Sequence, residues 1–146
     1  MSVTRLIVLL VLTAAAVGVA LLMQRRRPDP PSAPSYRAPS QLDRDDFDGP
    51  GVPLLIAVFA STTCDTCPRA WDVVQAVAAR FGDSMVTQRI DVQDNPDLHK
   101  RYRIDGVPTT VLAGPDGVVG EAFFGPMTDE QLLGALPDPD GSWGPE

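Results

Sequence analysis

The chain predicts an α/β fold: a central four-stranded mixed sheet flanked by helices, preceded by one N-terminal transmembrane helix. Three observations carry this. Leu6 to Met23 is an 18-residue run without a charge. From Ser40 onward, short apolar runs of strand length alternate with stretches of helical period. The last two strand-like runs are separated by Gly114-Pro115-Asp116-Gly117, the composition of a hairpin turn.

At 1.5 Å per residue the first run spans about 27 Å, close to the hydrocarbon thickness of a bilayer, and a helix satisfies its own backbone there. A cleaved signal peptide would have a shorter apolar region followed by a small-x-small site. Here Leu21-Leu22-Met23-Gln24 and three arginines follow. Residues 1–24 are therefore expected to form a single-pass anchor in the cell membrane, with residues 3–23 in the bilayer. Arg25, Arg26 and Arg27 outweigh Arg5 and the amino terminus, which favours a cytoplasmic C-terminal domain by the positive-inside rule, with the extracytoplasmic side as the alternative. Residues 25–39 are an Arg/Pro-rich linker: Pro28, Pro30, Pro31, Pro34 and Pro39 stiffen it toward extended polyproline geometry.

Within the expected domain at 40–137, Ser40 to Phe47 reads as a short helix with Ser40 as N-cap and Leu42 and Phe47 facing inward. Gly49-Pro50-Gly51 ends it. Val52 to Ala60 is continuously apolar and fits a central strand covered on both faces. Pro68 to Phe81 is helical, with Ala70, Trp71, Val74, Val77, Ala78 and Phe81 on its apolar stripe and Gly82 as its stop. Met85 to Val92 is a strand. Asn95-Pro96 opens a helix that runs through Tyr102. Thr109 to Ala113 and Val118 to Phe124 are strands; of the neighbours Phe123 and Phe124, one faces the core and the other borders the groove near Gly125. Thr128 caps a last helix ending at Leu136, and residues 138–146 are expected to be a disordered tail. Strands separated by helices imply parallel pairing with right-handed crossovers, and the hairpin adds an antiparallel edge.

The net charge is −7, unevenly spread. Through Arg37 five arginines face one aspartate; from Ala38 onward seven basic groups face eighteen acidic ones. Phosphate backbones would be repelled by such a domain, which excludes nucleic acid as partner. His99, the one histidine, is expected as a surface or half-buried helix residue. With no second histidine and only two cysteines, zinc would lack its usual ligands within one chain, so no metal is expected. A metal site shared across a dimer and a two-coordinate soft metal on the dithiol are the metal alternatives.

Those two cysteines stand as Cys64-Asp65-Thr66-Cys67, directly after the apolar run. One turn apart, their sulfurs can bond and reopen. The loop is too short to staple a fold, so reactivity is the better reading. Gly106-Val107-Pro108-Thr109 follows about forty residues later.

In this order and spacing, the segment Phe59 to Cys67, Ile90-Asp91-Val92 with Asn95-Pro96, the loop Tyr102 to Thr109, Gly117 and Gly125 resemble the thioredoxin family. Within that family the chain resembles the membrane-anchored thioredoxin-domain proteins of high-GC bacteria. The resemblance implies a protein-disulfide oxidoreductase without bound cofactor. Its partners would be protein disulfide or dithiol substrates and an unidentified reductase or electron donor. Cys64 would be the attacking nucleophile and Cys67 the resolving thiol. Val107, Pro108 (implied cis) and Gly125 would border the substrate. The sequence departs from the family at Thr63, where a tryptophan is usual, and at Asp65-Thr66, where Gly-Pro is usual; these three residues would modulate the site. Val58 and Thr87 stand where the family has a buried carboxylate and its lysine partner, and Asp72 where it has a mid-helix proline. Narrow substrate choice or slow turnover is the expected consequence. A non-enzymatic docking module on the same fold is the rival of another class.

Overall fold

The computed structural model describes residues 36–138 together with Arg5, Thr13, Val17 and Trp143. The chain falls into two units, Met1–Ser35 and Tyr36–Glu146. In the first, the three described residues are helical; the rest of the expected anchor, and the linker up to Ser35, lie outside the described residues. Among the described residues no helix is long and apolar enough to cross a membrane.

The second unit is built on strands β1 (Leu54–Ala60), β2 (Met85–Asp91), β3 (Thr109–Ala113) and β4 (Val119–Phe124), and on helices α1 (Cys67–Ala78), α2 (Pro96–Arg101) and α3 (Asp129–Gly134). The sheet order is β2-β1-β3-β4. β1 runs parallel to β2 and antiparallel to β3, and β4 is antiparallel to β3. The mixed sheet expected from the element order is thus present.

All seven residues of β1 are buried, because both faces of this strand are covered. Alternate side chains enter separate cores. Leu55, Ala57 and Phe59 join Leu42, Phe47, Ile90, Tyr102 and Val111 on one face. Leu54, Ile56 and Val58 join Val74, Val77, Leu112, Met127 and Leu132 under α1 and α3 on the other. Burial of each such aliphatic side chain stabilises the fold by about 1.5–3 kcal/mol. Trp143, from the expected disordered tail, packs against this second core, and its ring fills the space where a Cβ on Gly120 would stand.

Four local expectations need correction. The segment 40–47 is not a helix capped by Ser40. It is a single 3-10 turn at Arg44–Asp46, capped by the Asp43 side chain, and Gln41 bridges to Val118. The cause is tertiary: Arg44 is buried, and its guanidinium donates to the carbonyls of Gly114, Gly49 and Val52 at 2.7, 3.0 and 3.0 Å. Burial pushes the Arg44 pKa below its ordinary value. Next, α1 begins at Cys67 and ends at Ala78. Arg80 and Phe81 turn to tighter bonds onto Val77 and Ala78, so Phe81 points outward, 40% exposed. His99 is buried rather than at the surface: its Nε2–H donates to the Ile90 carbonyl at 2.8 Å, and its ring stands edge-on to Phe59. Finally, β4 starts at Val119, not Val118.

Other local signals hold. Gly117 adopts φ +78°, and a Cβ there would run into the Leu42 carbonyl oxygen. Thr128 and Gln131 form a reciprocal capping box at the start of α3.

Candidate active site

Sheet register assembles the site. β1 and β3 pair Phe59 with Thr109, and β3 and β4 pair Thr109 with Phe124. The C-terminal end of β1, the start of β3 and the end of β4 therefore meet at one edge of the molecule. Past Ala60 the chain turns through Ser61–Thr66 into α1, carrying the cysteines. Just before Thr109 lies the Val107–Pro108 bond, which is cis. Just after Phe124 lies Gly125, whose N–H donates to the Pro108 carbonyl at 2.8 Å.

Cys64 and Cys67 are joined in a disulfide with their Cα atoms 5.5 Å apart. Cys67 is fully buried, whereas Cys64 is half-buried. Cys64 lies in the loop just before the helix, and α1 opens at Cys67 with Pro68 in its first turn. One of the unpaired N–H groups of that turn, from Cys67, donates to the Cys64 sulfur at 3.1 Å. Thr66 Oγ1 stands 3.7 Å from the same sulfur. Partial positive charge at a helix start favours a thiolate at that position.

The other expected residues fall around this pair. Thr63, Asp65 and Thr66 are exposed, Val107 is half-buried and Pro108 is buried. Gly125 takes φ +89°, and no atom of the described residues lies within 4 Å of where its Cβ would be, so it leaves open space beside the proline loop.

Uncharged side chains stand where the resemblance implies a buried carboxylate and its lysine partner. Val58 is wholly buried and pairs in register with Thr110, whose buried Oγ1 has no hydrogen-bond partner among the described residues. Thr87 accepts from Gln75 Nε2 at 2.8 Å. Arg89, in register with Val58, donates through Nε and Nη2 to the two oxygens of Asp91, both at 2.9 Å. That bond holds the Arg89 pKa above its ordinary value.

Two contributors escaped the sequence reading. The first is Gln93. Backbone pairing of β1 with β2 ends where Val92 N–H donates to the Ala60 carbonyl. Beyond that point the Gln93 carboxamide continues the ladder like a peptide group: Oε1 accepts from Thr62 N–H at 3.1 Å and Nε2 donates to Ser61 Oγ at 2.8 Å. Ser61 Oγ in turn lies 3.0 Å from Thr63 Oγ1. The second is Tyr36, at the end of the proline-rich segment, whose ring rests over Gly106. Its only sequence signal was an aromatic residue in an otherwise polar linker.

The thioredoxin family model matches residues 50–137. A thioredoxin from Methanocaldococcus jannaschii is 36% identical over 81 residues, covering 56% of this chain and 89% of its own length. A probable thioredoxin from Methanothermobacter thermautotrophicus is 34% identical over 83 residues, 57% of this chain and 92% of its own. Among solved structures, the germline-specific thioredoxin Deadhead of Drosophila melanogaster aligns with a TM-score of 0.53 at 22% identity, over 61% of this chain and 83% of that one, and so supports the fold alone. A matching family model over more than half of the chain, together with a disulfide at the mouth of a helix, establishes that this chain belongs to the thioredoxin family and is a protein-disulfide oxidoreductase.

Proposed function

We propose that the chain is a membrane-anchored thioredoxin-like reductase of a high-GC bacterium, in which Cys64 attacks and Cys67 resolves. In the dithiol form the Cys64 thiolate attacks one sulfur of a client disulfide. A mixed disulfide forms, and the departing client thiolate takes up a proton. Cys67, as its thiolate, then attacks the Cys64 sulfur. The enzyme disulfide closes and the second client thiolate leaves and is protonated. Two electrons have passed to the client, and a reductase or other dithiol donor must restore them. Val107, Pro108 and Gly125 line the client's path, while Thr63, Asp65 and Thr66 tune the attacking sulfur.

One observation carries this reading: the half-exposed Cys64 sulfur accepts the Cys67 N–H at 3.1 Å while Cys67 itself is fully buried. Only the first sulfur is open to a visitor, and it sits where a thiolate is favoured. Insulin reduction driven by dithiothreitol tests it. Cys64→Ser abolishes turnover, and Cys67→Ser accumulates the mixed disulfide through Cys64. Retained turnover in Cys64→Ser sinks the assignment.

The membrane part rests on Leu6–Met23, and the cytoplasmic side on Arg25–Arg27. Protease protection of a C-terminal tag in sealed vesicles decides the side. Release of the chain by carbonate wash would remove the anchor from the proposal.

A further inference from the structure

The two flanks of the disulfide differ in chemistry. On the cysteine loop, Thr62, Thr63, Asp65 and Thr66 present hydroxyls and a carboxylate to solvent. On the proline side stand two exposed rings. Tyr36 is 50% and Phe124 42% exposed, and their centroids lie 5.6 Å apart with the planes tilted by 32°.

Both rings are fixed to the site. Phe124 ends β4 opposite Thr109, and its neighbour Gly125 is hydrogen-bonded to Pro108. Tyr36 lies so close over Gly106 that a Cβ at that position would overlap its ring. Gly106 leads directly into the cis Val107–Pro108 bond. Between ring and proline, Gly125 leaves its side-chain space open. The result is an apolar ledge continuous with the edge where a client disulfide must approach. Exposed aromatic rings grouped at a functional edge are a recurrent signature of polypeptide recognition.

We propose that Tyr36 and Phe124 form a docking ledge for an apolar side chain of the protein client, a leucine, methionine or aromatic residue close to the attacked cysteine. The inference rests on Cys64 as the attacking atom and adds the client feature that the site selects. It also gives the linker a second task, since one of its residues completes the client surface. An apolar side chain laid across a tilted ring pair gains aromatic contact beyond its buried area.

The test uses the full chain in mild detergent and three substrates: a disulfide-closed peptide with phenylalanine beside the attacked cysteine, the same peptide with serine there, and hydroxyethyl disulfide. Tyr36→Ser and Phe124→Ser each lower kcat/KM for the phenylalanine peptide by roughly three- to tenfold, mainly through KM. The serine peptide and hydroxyethyl disulfide react at unchanged rates, and Tyr36→Phe restores the phenylalanine preference. Equal losses on all three substrates, or no loss on the phenylalanine peptide, overturn the ledge. So does sedimentation that finds a dimer of the wild-type chain dispersed by Tyr36→Ser, because the rings would then serve a second copy. Should Cys64→Ser still reduce hydroxyethyl disulfide at the wild-type rate, the attacking-atom assignment fails instead, and the two failures stay separate.

Discussion

Gln93 holds Ser61 across the end of the β1–β2 ladder, Nε2 to Oγ at 2.8 Å, while its Oε1 takes the Thr62 N–H. This side chain fixes the loop that keeps the Cys64 sulfur in front of the Cys67 N–H. Without it the dithiol form gains loop freedom that the disulfide form lacks, so closing the disulfide costs more. Gln93→Leu therefore shifts the equilibrium with glutathione toward the dithiol by roughly threefold, about the worth of one ordinary hydrogen bond. An unchanged equilibrium constant would mean that the loop keeps its shape unaided.

Asp65 sets a negative charge beside Cys64, against the favourable field of the helix start. A like charge disfavours the thiolate. In the reduced protein, Asp65→Asn lowers the Cys64 pKa and gives roughly two- to threefold more thiolate at neutral pH, the scale of one exposed charge at this separation. The disulfide becomes more oxidising in step. Thiolate absorbance near 240 nm, titrated in both proteins, checks it; a raised or unmoved pKa in the variant contradicts it.

Thr110 is wholly buried, and its Oγ1, facing the same core as Val58, has no partner among the described residues. A buried hydroxyl without a partner costs about 1–3 kcal/mol. Thr110→Val keeps the shape and removes that cost, so the variant melts higher, by roughly 5 °C for a domain of this size. A lower melting temperature would reveal that the hydroxyl is satisfied in solution.

Tyr102 donates its phenol proton to Asp46 and accepts the Asp43 N–H at 3.0 Å. Burial first, and then the bond to Asp46, push its pKa up from 10.0 to about 12. The unfolded chain loses this proton near pH 10. Between the two values the folded state holds more protons, so stability falls with rising pH. The contribution is complete below about pH 10 and is lost through about pH 12. Tyr102→Phe flattens this alkaline decline and lowers neutral-pH stability by about 1–3 kcal/mol, since the Asp43 N–H loses its acceptor. Urea denaturation from about pH 8 upward distinguishes the two; parallel curves for both proteins would refute the assignment.

Strong local signals made most of the fold readable. The unbroken apolar run of β1, the Gly114–Gly117 turn and the Thr128 cap each impose a structure on their own neighbours. The cysteines and the cis-proline loop were readable too, because each motif sits at a strand end and the register of β1 with β3 joins them. What stayed hidden depends on distant partners. Nothing near Arg44 announces carbonyls at Gly114, and nothing near His99 announces the Ile90 carbonyl. Phe81 continued the helical stripe in sequence, but α1 tightens and ends at Ala78. Tyr36 and Gln93 gain their meaning only from Gly106, Phe124 and Ser61.

Where the chain can be cut follows from Arg44. The family match starts at residue 50, yet the upstream strip is welded to the body: Leu42 N–H reaches the Gly117 carbonyl at 2.8 Å, Leu42 and Phe47 fill one core, and a single cation ties off three carbonyls. A soluble fragment trimmed to the matched boundary would leave a hole and strip the carbonyls of Val52 and Gly114 of their donor. One that opens ahead of Tyr36 keeps the body sealed and carries the ring over Gly106 with it.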